Sequence, residues 1–144
     1  MKIHSEQEML DFGKKVAEQI TKVNVTGPVV VELIGDVGAG KTTFTRGLAE
    51  GFKAKTPVTS PSFTISKSYA LPDDKTLIHY DFYRLKDPGI MVEDLEENLS
   101  NKNNIIIIEW GNSIADLLPK NHTIIKINYN DDNTREVTIQ WNYI

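Results

Sequence analysis

A three-layer α/β fold, with a mixed, largely parallel central sheet between helices, follows from three observations. Val29-Val30-Val31-Glu32-Leu33-Ile34 reads as a buried strand running directly into a glycine-rich loop and then a helix from Lys41 to Glu50. Ile105-Ile106-Ile107-Ile108 is an unbroken apolar run of strand length, the pattern of a strand covered on both faces as parallel sheets require. The chain closes on two further strand-like segments, Thr123 to Tyr129 and Glu136 to Tyr143, around the polar turn Asn130-Asp131-Asp132-Asn133.

The remaining elements follow in order. Ser5-x-x-Glu8 is a capping box, and Met9, Phe12, Val16 and Ile20 line one face of the helix it opens. Asn24 to Pro28 form a turn. Gly51 is placed to cap the helix that starts at Lys41. Thr56 to Ser62 holds Pro57 and Pro61 and reads as a loop. Phe63 to Tyr69 and Thr76 to Phe82 read as strands around the turn Leu71-Pro72-Asp73-Asp74. Asp87-Pro88-Gly89 breaks the chain before a short helix from Ile90 to Leu99, and Pro119 ends another that runs through Ile114 to Leu118.

The 144 residues, 40% hydrophobic and 25% charged, are those of one ordinary globular domain spanning 1–144. The absence of cysteine excludes a disulfide framework and thiolate metal sites. Lys2, His4, Glu6 and Glu8 stand where a signal peptide would be apolar, and no apolar run spans a membrane, so a cytoplasmic location is expected. A net charge of −4 argues against a direct grip on a polyanion.

Gly35-Asp36-Val37-Gly38-Ala39-Gly40-Lys41-Thr42 spells G-x-x-x-x-G-K-T, the phosphate-binding loop of nucleoside triphosphatases. The fold class expected is therefore P-loop NTPase-like. In such a loop the glycines let the backbone fold tightly, so that successive N–H groups point inward at a polyphosphate, and the N-terminus of the following helix adds to the anion site. Lys41 bridges the β- and γ-phosphates and the Thr42 hydroxyl takes magnesium. A carboxylate is then needed at the end of a neighbouring strand. Glu109, at the end of the isoleucine run, is assigned to the magnesium shell, and Asp81 to a second metal-shell or water-positioning role. Ser60 and Ser62 lie in a loop that is either an ordinary polar turn or a segment sensing the γ-phosphate. Trp110 is either core packing or an aromatic that meets the base or a partner. His79, set among apolar residues in a strand, reads as a satisfied structural histidine. Asn101-Lys102-Asn103 lacks the aspartate of a guanine-reading N-K-x-D element and precedes a strand, which excludes guanine specificity on that ground.

Four blocks recur in order: G-D-x-G-A-G-K-T-T-F at 35–44, S-P-S-F at 60–63, H-x-D-x-Y-R-L at 79–85 and I-E-W at 108–110. Together they resemble the TsaE (YjeE) family, small bacterial ATPases of the tRNA threonylcarbamoyladenosine pathway, over nearly the whole chain. The resemblance implies ATP and Mg2+ as cofactors and the TsaD and TsaB proteins as partners. It implies that tRNA is met only through that complex, with no membrane involved. It also implies that the ATP cycle resets or regulates the complex rather than performing threonylcarbamoyl transfer. On this chain, Thr42 and Glu109 match the family's magnesium positions, Gly38 to Thr43 its nucleotide loop, and Asp81 its acidic residue required for activity. The resemblance also sets Glu6 near the adenine and Arg135 toward the nucleotide. Ser62 departs from the family's usual threonine, Asn112 from a residue often acidic or proline, and Gly89-Ile90-Met91-Val92 from a Glu- and Leu-rich pattern.

Two other readings remain. A small phosphotransferase would share the phosphate loop, but it usually carries an arginine-bearing lid, and only Arg46, Arg84 and Arg135 are present. A nucleotide-gated binding module would need bound ATP but not its hydrolysis. Slow turnover in isolation is expected, because no arginine finger or polarised base is visible.

Overall fold

The computed structural model describes residues 1–22, 27–36, 38–56, 66–82 and 89–141. Their strands are β1 (Lys2–Ile3), β2 (Val29–Ile34), β3 (Ser66–Ala70), β4 (Thr76–Asp81), β5 (Asn104–Glu109), β6 (Thr123–Tyr129) and β7 (Arg135–Gln140). They form one sheet in the order β1-β7-β6-β2-β5-β4-β3. The four central strands β6, β2, β5 and β4 are parallel, while β3 at one edge and β7 with β1 at the other are antiparallel. Helices α1 (Glu6–Lys22) and α2 (Lys41–Gly51) cover one face. Helix α3 (Gly89–Leu99) and a 3-10 segment, Gly111–Leu117, cover the other. The α/β class with a largely parallel centre is thus as the sequence predicts. β5 lies between β2 and β4, and all six of its residues are buried.

Strand alternation decides which side chains meet. Val31 and Leu33 of β2, Leu77 of β4, and Ile105 and Ile107 of β5 belong to the core under α1 and α2. Val30, Ile78, Tyr80, Ile106 and Ile108 belong to the core under α3. By the same parity His79, Asp81 and Glu109 turn toward the α1–α2 layer. Glu32 turns the other way, where its Oε1 lies 3.1 Å from His122 Nε2.

The capping box forms at α1: Ser5 Oγ accepts from the Glu8 amide at 3.1 Å, and Glu8 Oε2 accepts from the His4 amide at 2.8 Å. The apolar stripe Met9, Phe12, Val16 and Ile20 is buried. Helices α1 and α2 touch almost backbone to backbone. A Cβ added at Gly13 would lie 2.5 Å from the Phe44 carbonyl oxygen, and one at Gly51 2.6 Å from Ala17 Cβ. Phe12 and Phe44 meet across the contact with centroids 5.6 Å apart, a pairing worth about 1 kcal/mol beyond buried area.

Several expectations are corrected in detail. Gly51 does not cap α2. It is the last helical residue, kept small by Ala17 and Lys14, and the left-handed turn falls on Lys53 at φ 63°. The expected helix at Ile114 to Leu118 is the 3-10 run Gly111–Leu117, broken at Ile114, with Leu118 extended ahead of Pro119. β7 begins at Arg135 and ends at Gln140. The antiparallel strand β1 has no counterpart among the expected elements; two residues carry no periodicity. Phe63 to Ile65 and Asn24 to Thr26 lie outside the described residues.

Tyr80 anchors α3 to the sheet. Its hydroxyl donates to Asp94 Oδ2 at 2.5 Å and accepts from Asn98 Nδ2 at 2.7 Å. Burial pushes the Tyr80 hydroxyl pKa up, and the bond to Asp94 adds to the rise. At the opposite edge, Lys2 Nζ lies 2.8 Å from Asp132 Oδ2, tying β1 to the β6–β7 turn.

Candidate phosphate-loop site

The site is built where β2, β4 and β5 end together. Parallel register pairs Asp81 with Glu109 and Leu33 with Glu109, so both candidate carboxylates emerge at the strand ends beside the glycine-rich loop. The loop holds its shape through glycine at Gly38 (φ 82°) and Gly40 (φ 110°), backbone values costly for a side-chain-bearing residue. Gly40 leads directly into α2, whose first turn carries Lys41, Thr42 and Thr43. Ala39 is fully buried, its amide donating to Asp36 O at 3.0 Å. Val37 is outside the described residues.

Lys41 is the centre of a buried polar cluster. Its Nζ donates to the Gly35 carbonyl at 2.6 Å and stands 3.6 Å from Glu109 Oε1. Both side chains are 6% exposed. The Trp110 ring lies over the same ammonium, 4.3 Å from its centroid, within cation–π range. Trp110 reaches that place through a left-handed backbone (φ 58°) and packs on the α3-side core as well. Trp110 thus packs, which is one of the two readings the sequence left open, and its ring also meets the Lys41 ammonium. The second carboxylate oxygen, Glu109 Oε2, is bonded to His79 Nε2. His79 is thus satisfied at one ring nitrogen only: Nε2 bonds the key carboxylate itself, whereas buried Nδ1 has no hydrogen-bond partner among the described residues. Its H-x-D spacing, which puts it on the same strand face as Asp81, was the signal available.

A cavity of about 460 Å³ opens beside the loop, lined by His4, Glu6 and Met9 of the α1 start, Gly38, Gly40 and Thr43 of the loop, and Asn133 and Arg135 of the hairpin. Glu6 and Arg135, far apart in sequence, do come together here. Glu6 pairs with Arg46 of α2 at 3.5 Å. Arg135 Nε donates to the Ala39 carbonyl at 3.1 Å, and its guanidinium lies 3.6 Å from the Tyr129 ring centroid. Arg135 thereby braces the loop from outside. Thr42 is half-buried in the first turn of α2. Ser60, Ser62 and Arg84 lie outside the described residues.

A lysine in the first turn of a helix, a glycine loop ahead of it and a carboxylate at the end of the adjacent parallel strand define the class: an α/β protein of the P-loop NTPase-like fold. The description "Threonylcarbamoyl adenosine biosynthesis protein TsaE" matches residues 3–137. The tRNA threonylcarbamoyladenosine biosynthesis protein TsaE of Haemophilus influenzae is 39% identical over 134 residues, covering 90% of this chain and 82% of its own. That of Rickettsia bellii is 36% identical over 143 residues, covering 98% and 94%. The crystal structure of Bacillus subtilis YdiB superposes with a TM-score of 0.73 at 30% identity, covering 99% of this chain and 84% of that one. The chain belongs to the TsaE family.

Proposed function

We propose that this chain is a magnesium-dependent ATPase of tRNA threonylcarbamoyladenosine biosynthesis, acting on the TsaD–TsaB complex rather than transferring the threonylcarbamoyl group. One observation carries the reading. Lys41 is buried and held between the Gly35 carbonyl and Glu109, in the first turn of the helix that the glycine loop opens, where backbone amides favour an anion. The donor set fits the group: a threonine hydroxyl and a carboxylate are hard oxygen ligands, suited to magnesium that keeps phosphate oxygens for the rest of its shell. Among the described residues no three His, Cys, Asp or Glu side chains could hold a metal by themselves. Magnesium, when bound, neutralises charge on the phosphates being cleaved. Lys41 would turn from Gly35 and Glu109 to the phosphates, the loop amides would hold them in line, and Asp81 would orient the attacking water. The cavity beside Glu6 and Arg135 is the place for the nucleoside.

Magnesium-dependent ATP hydrolysis, measured for the protein alone and with TsaD and TsaB, tests this. Slow turnover that rises with the pair is expected. Turnover indifferent to the pair, with ADP release accelerated by a small hydroxyl acceptor, would make the chain a phosphotransferase instead. No helix among the described residues is long and apolar enough to cross a membrane, and a cytoplasmic site of action is part of the proposal.

A further inference from the structure

We infer that His79 is a positioning residue: its Nε2–H fixes the rotation of the Glu109 carboxylate so that Oε1 alone is presented to Lys41 and the phosphate site. The inference rests on the magnesium-nucleotide reading of that site for its consequence, but its geometry stands in the free protein. His79 is completely buried, on the strand face it shares with Leu77 and beside Ile107, its partner on β5. A ring placed there is expensive unless its polar atoms are used. Nε2 is used on Glu109 Oε2, whereas Nδ1 has no hydrogen-bond partner among the described residues. A carboxylate can only accept, so the bond requires the proton on Nε2. A proton on Nδ1 instead would bury a donor with nothing to receive it. The surroundings therefore select one tautomer.

The terminal torsion of glutamate is broad and two-fold, so a carboxylate held at one oxygen turns readily. Glu109 is held at both: His79 takes Oε2, and Oε1 faces Lys41 at 3.6 Å. When Lys41 moves to a phosphate, His79 is the contact that remains. It keeps Oε1 aimed out of the sheet edge at the moment a cation needs it, the part that partners behind a ligand play in metal sites generally.

The experiment compares His79→Gln, which can return a donor near the Nε2 position, with His79→Leu, which fills the space without one. ATP binding is measured calorimetrically with magnesium and with EDTA. For His79→Leu, the gain in affinity due to magnesium falls roughly 10- to 100-fold while binding in EDTA stays within about threefold; His79→Gln stays near the unaltered protein in both. Equal behaviour of the two variants, both folded by their thermal melts, would reduce His79 to a space-filling residue. A second measurement needs no nucleotide and no substitution at His79. In the 15N-histidine-labelled protein, His79 carries its proton on Nε2, and Glu109→Ala alters those resonances. A proton on Nδ1 with a bare Nε2, or resonances unmoved by Glu109→Ala, overturns the inference. If the unaltered protein shows no magnesium-dependent ATP binding, the proposed function fails, and the labelled histidine still decides the positioning role.

Discussion

Lys41 and Glu109 should be strongly coupled before any ligand arrives, and a double-mutant cycle measures how strongly. At 3.6 Å and an effective dielectric near 20, two unit charges attract by about 4.6 kcal/mol. Some of that is lost to the solvent that reaches the pair's 6% exposed surface, leaving an expected coupling of about 2–4 kcal/mol. Lys41→Met keeps a long apolar stem and removes the ammonium that lies over Trp110. Glu109→Gln keeps an oxygen for His79 and removes only the charge. Each single change strands one buried charge and should lower stability by about 3 kcal/mol in urea titrations without nucleotide. The double variant strands neither, so its loss should be well below the sum. Losses that add within about 0.5 kcal/mol would refute the reasoning, because the pair would then be screened like a surface contact.

Gly13→Ala gains roughly 1 kcal/mol of helix propensity, but its Cβ would sit 2.5 Å from the Phe44 carbonyl, so overpacking of about 1–3 kcal/mol should win and a more stable variant in urea would contradict the packing argument. Tyr80→Phe removes the hydroxyl that joins Asp94 and Asn98, and a loss of about 1 kcal/mol with faster amide exchange in α3 is expected; unchanged exchange would mean that apolar contacts alone hold the helix. Arg135→Met should loosen the loop by about 1–2 kcal/mol, visible as faster exchange of its amides, and Arg135→Lys should not restore it because lysine cannot donate to Ala39 while lying flat on Tyr129. Asp132 is held below the usual carboxylate range, first by Lys2 and then by Thr134. Its contribution is present above the ordinary carboxylate pKa and is lost as pH falls through the lower folded value. Melting temperatures of the native chain and Asp132→Asn should therefore converge only below about pH 4.

The longer strands and the phosphate-loop motif were legible because each is specified locally, whereas the two-residue β1 was not. Four consecutive isoleucines declare a strand with two covered faces, and a capping box followed by Met9, Phe12, Val16 and Ile20 declares a helix with one buried stripe. Glu109 could be named because an acid at the end of so apolar a run needs a reason to be there. What stayed hidden depends on register between distant segments. That His79 meets Glu109 follows only once His79 is aligned with Ile107 and Asp81 with Glu109 across β4 and β5. Gly51 looked like a cap because a glycine at a helix end usually is one, whereas here Ala17 and Lys14 of the neighbouring helix forbid anything larger. The 3-10 segment after Trp110 is too short for helical periodicity to speak, and its start is set by the left-handed turn at Trp110.

The sheet order also sets when this protein becomes itself. β2, which carries the glycine-rich loop, has β5 on one side and β6 on the other, and both are made long after it. The brace from Arg135 to Ala39 spans 96 residues of chain. Contacts this remote form late, since closing the intervening chain must precede any gain from them. During synthesis the motif therefore emerges well ahead of its two flanking strands, its carboxylate and its brace. A chain stalled before residue 104 would carry every letter of the loop and the α1–α2 pair beside it, but neither flanking strand, nor Glu109, nor Arg135.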